Sequence, residues 1–359
     1  MALTIGDCAP FFSAKSPSNP DYAFDSVAGR YVVLAFYPSL DPEEAKRITA
    51  AIAANRALFD DDKLAFFGVL RTDALTQGAT NQVPGIRWFF DTDRAISNRF
   101  GMETANGETA GWLVLDPMLR VIISAPLQDT ARVMAALRAL PAVDDHAGAP
   151  LFAPVLLVPR VFSPDLCARL IGAYEHGEQS PSGYMREIDG RTVGVFDSSK
   201  KRRRDHIVED PALLAEIRHN ISKGLLPQIE RAFNFTATRM ERYLVGCYSG
   251  EEQGFFAAHR DNVSKGTAHR RFAVTINLNS EQYEGGGLVF PEFGSRTYRP
   301  PTGGAVVFGC GLLHAAQPVL TGRRYAFLPF LYDERAARLR EQNTKYLEPG
   351  SDDYRANPS

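Results

Sequence analysis

Four runs of apolar, β-branched and aromatic residues constrain the first half of this chain more than any other feature: 31–37 (YVVLAFY), 64–70 (LAFFGVL), 86–90 (IRWFF) and 112–115 (WLVL). A strand that is apolar along its whole length has to be covered on both faces. Between the first two runs, residues 43–59 show a helical pattern of alanines with Ile48, Ile52 and Leu58. A last helix near 130–140 is closed by Pro141. Strands alternating with helices predict an α/β domain whose sheet is sandwiched between helices.

The pattern then changes. Residues 141–150 (PAVDDHAGAP) have no periodicity and mark the best boundary, and 359 residues suit two domains. Beyond it, VPRVFSPDLCARLIGAYE predicts a strand and then a helix, with Ser163 as N-cap, Pro164 at its first position, and Leu166, Leu170, Ile171 and Tyr174 on its apolar face. A second helix is expected over 211–233, broken near Gly224. From Glu241 on, short strands are split by Gly, Pro and Asn: ERYLVGCY, RFAVTINLN, GGLVF, RTYRP, GAVVFGC and YAFLPFLY. That spacing predicts a mainly-β jelly-roll barrel with flanking helices. The expected division is 1–142, a linker at 143–150, a barrel domain at 151–335, and a polar tail at 336–359 with a short helix.

Composition excludes several classes. A net charge of −2 gives no global basic field for nucleic acid or an anionic membrane. Cys8, Cys167, Cys247 and Cys310 are too few and scattered for a disulfide framework, and no CxxC pair suggests structural zinc. No basic-then-apolar leader opens the sequence. The uncharged stretch 300–322 contains Pro318, Gln317, His314 and several glycines, which suit strands and turns better than a membrane span. A cytoplasmic protein with free thiols is the expectation.

GDCAPFF, VAGRYVVLAFYP, FFDTDRAISNRFGM and GWLVLDPMLRVI, in this order, resemble a peroxiredoxin of the thioredoxin fold over about residues 4–141. The chemistry of that family does not carry over. Ala45 stands where the peroxidatic Cys belongs, Pro42 where its Thr or Ser partner belongs, and Ala110 near the activating Arg. Peroxide reduction needs a thiolate stabilised by a cation. A redox-inactive scaffold is therefore expected, serving dimerisation, substrate presentation or stability; a homodimer would form through it. The rival, a thiol peroxidase, would have to use Cys8 or another Cys.

In the second half, His259-Arg260-Asp261 is an HxD, His314 follows just after GAVVFGC, and Arg324 opens RYAFLPFLY. Two imidazoles and one carboxylate are the donor set of non-heme Fe(II) oxygenases. An Arg is a planar clamp for a carboxylate. CYSGEEQGFFAAHRDN, RFAVTINLN, YEGGGLVFPEFG and PPTGGAVVFGCGLLHAAQPVLTGRRYAF resemble the Fe(II)/2-oxoglutarate-dependent dioxygenases of the prolyl-4-hydroxylase type, over roughly 150–335. The resemblance implies that His259, Asp261 and His314 hold Fe(II). It implies that Arg324, with Arg323 as the neighbouring alternative, binds the distal carboxylate of 2-oxoglutarate, and that Tyr248 contacts this co-substrate. Asn277 replaces a second co-substrate tyrosine. The implied reaction consumes O2 and 2-oxoglutarate, releases succinate and CO2, and hydroxylates a substrate C–H, with ascorbate as a candidate reductant. The expected substrate is a peptidyl prolyl or other amino-acid-like group in a peptide or protein, or else a free small molecule. A non-catalytic 2-oxoglutarate or oxygen sensor is the binding-class rival.

Arg270 falls where relatives place a substrate-facing cation, and Asn262 follows the HxD; each could instead be a solvated charge or a turn residue. His269, His206, His219, His176 and His146 match no motif and read as surface or capping residues. Cys247 and Cys310 read as small core residues. The run 198–205 (SSKKRRRD) reads as a solvated loop, its functional alternative being a flap that recruits an anionic substrate through residues 200–204.

Overall fold

The computed structural model describes residues 2–37, 42–71, 80–104, 107–108 and 110–348. Pro38, the side chains of Pro42 and Ala45, and the tail 349–359 lie outside them. The chain divides into two units, Met1–Phe152 with Pro291–Ser295, and Ala153–Phe290 with Arg296–Ser359.

The first unit is built on β1 (Ser13–Ser16), β2 (Asn19–Ala23), β3 (Tyr31–Tyr37), β4 (Leu64–Leu70), β5 (Ile86–Phe90), β6 (Gly111–Leu115) and β7 (Val121–Pro126). Among the described residues they form one sheet in the order β2-β1-β5-β4-β3-β6-β7. β3, β4 and β5 run parallel, and β6 and β7 return antiparallel. Every residue of β3, β4 and β6 is buried, as continuous apolar runs require. Helices α1 (Pro42–Ala54), α2 (Ala95–Arg99) and α3 (Thr130–Arg138) complete a thioredoxin-like α/β arrangement. Ile48 and Ile52 of α1 pack with Val133, Met134 and Leu137 of α3 in one apolar cluster.

The second unit begins with β8 (Leu156–Val158) and α4 (Pro164–His176). Ser163 Oγ accepts from the Leu166 amide at 3.1 Å, and Pro164 occupies the first turn where its missing N–H costs nothing. Leu166, Leu170 and Tyr174 go into the core; each fully buried Leu contributes about 1.5–3 kcal/mol.

The helix expected over 211–233 is not broken at Gly224. It runs as α5 (Pro211–Asn220), a π-helical turn (Ile221–Leu225) and α6 (Leu226–Phe233). The buried residues Ile217, Ile221, Leu225 and Ile229 recur every fourth position. An α-helix of 3.6 residues per turn would rotate that stripe away from the core, and one wider turn realigns it. Pro227, which lacks a donor, sits just after the π turn.

Apart from the hairpin Tyr184–Ile188 with Arg191–Val195, the remaining strands form two main sheets that face each other. Their members are β9 (Ser180–Pro181), β10 (Lys201–Arg202), β11 (Arg204–Ile207), β12 (Leu244–Ser249), β13 (Phe255–His259), β14 (Phe272–Asn277), β15 (Leu288–Val289), β16 (Thr297–Tyr298), β17 (Ala305–Gly309), β18 (His314–Ala316) and β19 (Val319–Phe327). One sheet has the order β8-β17-β14-β19-β12-β11-β9; the other has β10-β13-β18-β15-β16. This is the mainly-β double-sheet barrel expected. YAFLPFLY is interrupted at Leu328-Pro329, so β19 ends and a separate strand, Phe330–Tyr332, follows. The tail expected from 336 is helical from its start, as α7 (Glu334–Asn343), capped by Asp333.

The basic run is the clearest departure. Residues 201–205 are not a solvated loop. They enter β10 and β11 with alternating burial: Lys201, Arg203 and Asp205 are buried, while Arg202 and Arg204 are exposed. The period of two that defines a strand shows in the burial of these residues, not in their types.

Candidate active site

His259 ends β13 and His314 opens β18, and the antiparallel register sets them opposite each other. Their ring centroids are 4.2 Å apart. Asp261 lies two residues beyond His259; its amide donates to the Cys310 carbonyl at 2.9 Å. The intervening Arg260 turns the other way and donates to the Gly311 carbonyl. Both bonds tie the HxD to the turn that delivers His314. Asp261 Oδ1 is 3.5 Å from His259 Nε2, and Oδ2 is 3.3 Å from His314 Nε2.

Each imidazole is held by its far nitrogen. His259 Nδ1 donates to the Ala257 carbonyl at 2.8 Å, and His314 Nδ1 to the Leu312 carbonyl at 3.0 Å. A carbonyl can only accept, so Nδ1 carries the proton and Nε2 keeps its lone pair. Burial, reinforced by His259, pushes His314 down to about 4, leaving it neutral near pH 7. Burial alone would raise the Asp261 carboxyl, but His314, His259 and Arg270 outweigh it and hold the group well below the usual carboxylate range. Two Nε2 lone pairs and a carboxylate therefore converge, with ligand atoms all within 4.8 Å of one another. Donors about 2.1 Å from one ion, on adjacent coordination positions, lie about 3 Å apart. The set fits a small divalent metal with its other positions open. Phe256 stacks on His259 at 3.5 Å and Phe308 packs against His314 at 4.6 Å, making an apolar collar.

The triad lines a cavity with about 510 Å³ of atom-free space, mouth included, and Tyr248 and Arg324 line it from the opposite sheet. These two are cross-strand neighbours on β12 and β19, so they project from the same face. Arg324 is 3% exposed, yet its Nε and Nη1 are buried without a hydrogen-bond partner. Leaving a charged donor unmatched is costly unless a ligand supplies the acceptor. Arg323, the alternative, points outward toward Glu175 and is half exposed. Gly286 gives Arg324 its room: at φ +61°, a Cβ there would stand 3.2 Å from Arg324 Cδ and 2.8 Å from Val319 Cγ2.

Other expected residues fall elsewhere. Arg270 does not face the cavity. It is 3% exposed, its Nε donates to Glu241 Oε1 at 2.8 Å, and its Nη1 reaches the Asp261 carbonyl at 3.4 Å. It braces Asp261 from behind, because a desolvated guanidinium is drawn to the buried Glu241. His269 is no surface residue either: it is 1% exposed, 2.9 Å from Glu241 Oε2. Asn277 turns its amide to the Pro300 carbonyl at 3.1 Å, and neither it nor Asn262 lines the cavity. Cys247 and Cys310 are buried, as expected, and so is Cys167, whereas Cys8 is exposed.

Of the charged residues lining the cavity, sequence reasoning misses Arg242 and takes Arg203 only as part of the basic run. Arg203 lies in a run of like charges whose alternation appears only in its burial. Nothing in the sequence singles out Arg242. Outside the cavity lining, Tyr283 has a buried hydroxyl without a partner, beside Tyr248 in a small apolar cluster.

Residues 243–332 match the family model of the 2OG-Fe(II) oxygenase superfamily. They are a 2OG-Fe(II) oxygenase domain. The match and the hydroxylase relatives support a dioxygenase of the hydroxylase type, in a family that uses Fe(II) and 2-oxoglutarate, and the His259, Asp261 and His314 group fits iron. The PKHD-type hydroxylase PiuC of Pseudomonas aeruginosa is 26% identical over 206 residues, which cover 54% of this chain and 84% of that protein. Among solved structures, a prolyl hydroxylase from Trichoplax adhaerens, in complex with a peptide fragment of the hypoxia inducible factor oxygen degradation domain, aligns with TM-score 0.41 and 18% identity. The alignment covers 58% of this chain and 96% of that one. The bacterioferritin comigratory protein of Xanthomonas campestris aligns with TM-score 0.32 and 19% identity, over 38% of this chain and 96% of that one. No helix among the described residues is long and apolar enough to cross a membrane.

Proposed function

We propose that His259, Asp261 and His314 hold Fe(II), that Arg324 takes the distal carboxylate of 2-oxoglutarate beside Tyr248, and that the chain hydroxylates an unactivated C–H of a prolyl or other amino-acid-like substrate. The observation that carries this reading is the Arg324 guanidinium, buried and unmatched at Nε and Nη1, in the same cavity as three converging metal donors. The chemistry supplied at the metal when it is bound is oxidative decarboxylation of 2-oxoglutarate to succinate and CO2, coupled to hydroxylation of a C–H bond.

The protein's part is placement. The carbonyls of Ala257 and Leu312 fix both imidazoles with Nε2 inward. Arg324 gives a fork-shaped anchor that sets the depth of a dicarboxylate. Phe256 and Phe308 keep water from the ligand atoms. The first unit is read as a redox-inactive scaffold spanning the peroxiredoxin-like residues 1–142: Ala45 replaces the reactive thiol, and Cys8 is the sole cysteine of that stretch.

The test is succinate formation from 2-oxoglutarate under air, with Fe(II) and ascorbate, in wild type, His259→Ala and Arg324→Ala. Succinate in the wild type and its loss in both variants is the expected result. Succinate formation that neither substitution affects would overturn the assignment.

A further inference from the structure

Three guanidinium groups reach the cavity wall, Arg203, Arg242 and Arg324, and the proposed function uses only Arg324. Arg203 is already committed. Its Nε and Nη2 donate to the two oxygens of Asp205 at 2.6 and 2.7 Å, and its Nη1 to the Tyr248 hydroxyl at 3.3 Å. Arg242 is not. The oxygen it approaches, Asp205 Oδ2, is 3.6 Å away and already accepts from Arg203 and from Ser182 Oγ. No hydrogen bond joins the Arg242 side chain to a described residue.

Charge makes the same point. The cavity wall carries three guanidinium groups and one carboxylate, Asp261, while Asp205 behind it is bound by Arg203. A divalent metal and a 2-oxoglutarate dianion cancel each other. One positive charge is left, and it lies on Arg242.

The backbone at Arg242 is also unusual. Its φ is +67°, a left-handed conformation that non-glycine residues adopt at a cost. Such strain persists where the surroundings impose it, and it gathers at ligand sites. Here it delivers the guanidinium over the Phe330 ring, 5.4 Å from its centroid.

We infer that the substrate carries a carboxylate that binds Arg242 across the face of Phe330, while the C–H to be oxidised faces His259, Asp261 and His314. The inference rests on the proposed function. The carboxylate is either the α-carboxylate of a free amino-acid-like molecule or the acidic side chain of a peptide.

The test uses the full chain loaded with Mn(II) and 2-oxoglutarate. Binding is read from the paramagnetic broadening of probe NMR signals, so no turnover is needed. The probes are N-acetylproline against its methylamide, and an end-blocked Pro-Glu peptide against the Pro-Gln peptide. At least one acid is expected to bind about tenfold or more tighter than its amide. Arg242→Gln should abolish that preference and Arg242→Lys retain part of it. The acid that wins names the source of the carboxylate. Arg242→Gly, which relieves the positive φ, should lose the preference without lowering the melting temperature. Acid and amide bound alike in both pairs, undetectable binding included, would overturn the inference, as would a preference that survives Arg242→Gln. Titrations of Mn(II) and 2-oxoglutarate on the same samples separate the levels: if both bind normally, only the Arg242 inference falls; if neither binds, the proposed function falls with it.

Discussion

Replacing Asp205 by Asn removes the counter-charge of Arg203 and keeps the side-chain shape. In the native chain the carboxylate accepts two hydrogen bonds from Arg203 and one from Ser182, and Arg203 is 7% exposed. Burial works against both charges, yet Arg203 brings Asp205 down to about 2, so the pair is ionised at neutral pH. Removing one member of a buried pair costs about 3–5 kcal/mol, mostly the price of an uncompensated desolvated charge. A domain has roughly 5–15 kcal/mol in total. With a urea m-value of about 2–3 kcal/mol/M, the midpoint of the second unit should fall by about 1–2.5 M. Trp88 and Trp112 are both in the first unit, so the transition is followed by far-UV circular dichroism. The double variant Arg203→Met with Asp205→Leu should regain most of the loss, because apolar residues need no partner. A cost below about 1 kcal/mol for Asp205→Asn would refute the reasoning, since a pair that water reaches is worth only that much.

Two further outcomes follow from the same geometry. Gly286→Ala adds a Cβ 3.2 Å from Arg324 Cδ at a positive φ, so 2-oxoglutarate affinity, measured anaerobically by calorimetry, should weaken about tenfold or more; unchanged affinity would mean that Arg324 does not need that space. Burial would raise Glu241, but Arg270, His269 and Arg340 outweigh it and hold it well below its ordinary value. A depressed carboxyl stabilises the fold above its unfolded pKa of about 4.3 and loses that contribution as pH falls through and below it. Glu241→Gln should therefore flatten the fall of stability between about pH 5 and pH 3, and curves that stay parallel would exclude Glu241 as the source.

The sequence disclosed whatever depends on local pattern. Continuous apolar runs foretold β3, β4, β5 and β6, and Ser163-Pro164 foretold the start of α4. HxD, His314 and Arg324 were legible because a strand end, a turn and a cross-strand register bring them together from fixed spacings. What stayed hidden depends on pairing. Lys201 and Arg203 look like solvent-facing charges until β10 and β11 bury them against Phe256 and Asp205. His269 and Arg270 look like edge residues until Glu241, 28 and 29 positions earlier, meets them in the interior. Arg242 has a neighbour in space, Phe330, that no local pattern predicts. Gly224 reads as a helix breaker, but the fourfold spacing of Ile217, Ile221, Leu225 and Ile229 selects a π turn instead.

The most direct test of the central claim is Fe(II) binding by anaerobic equilibrium dialysis of the wild type and Asp261→Ala. The account predicts one Fe(II) per chain in the wild type, and loss of that binding in the variant, whose two imidazoles would lack the carboxylate between them. An equal stoichiometry and affinity in the two proteins would place the metal elsewhere and contradict it.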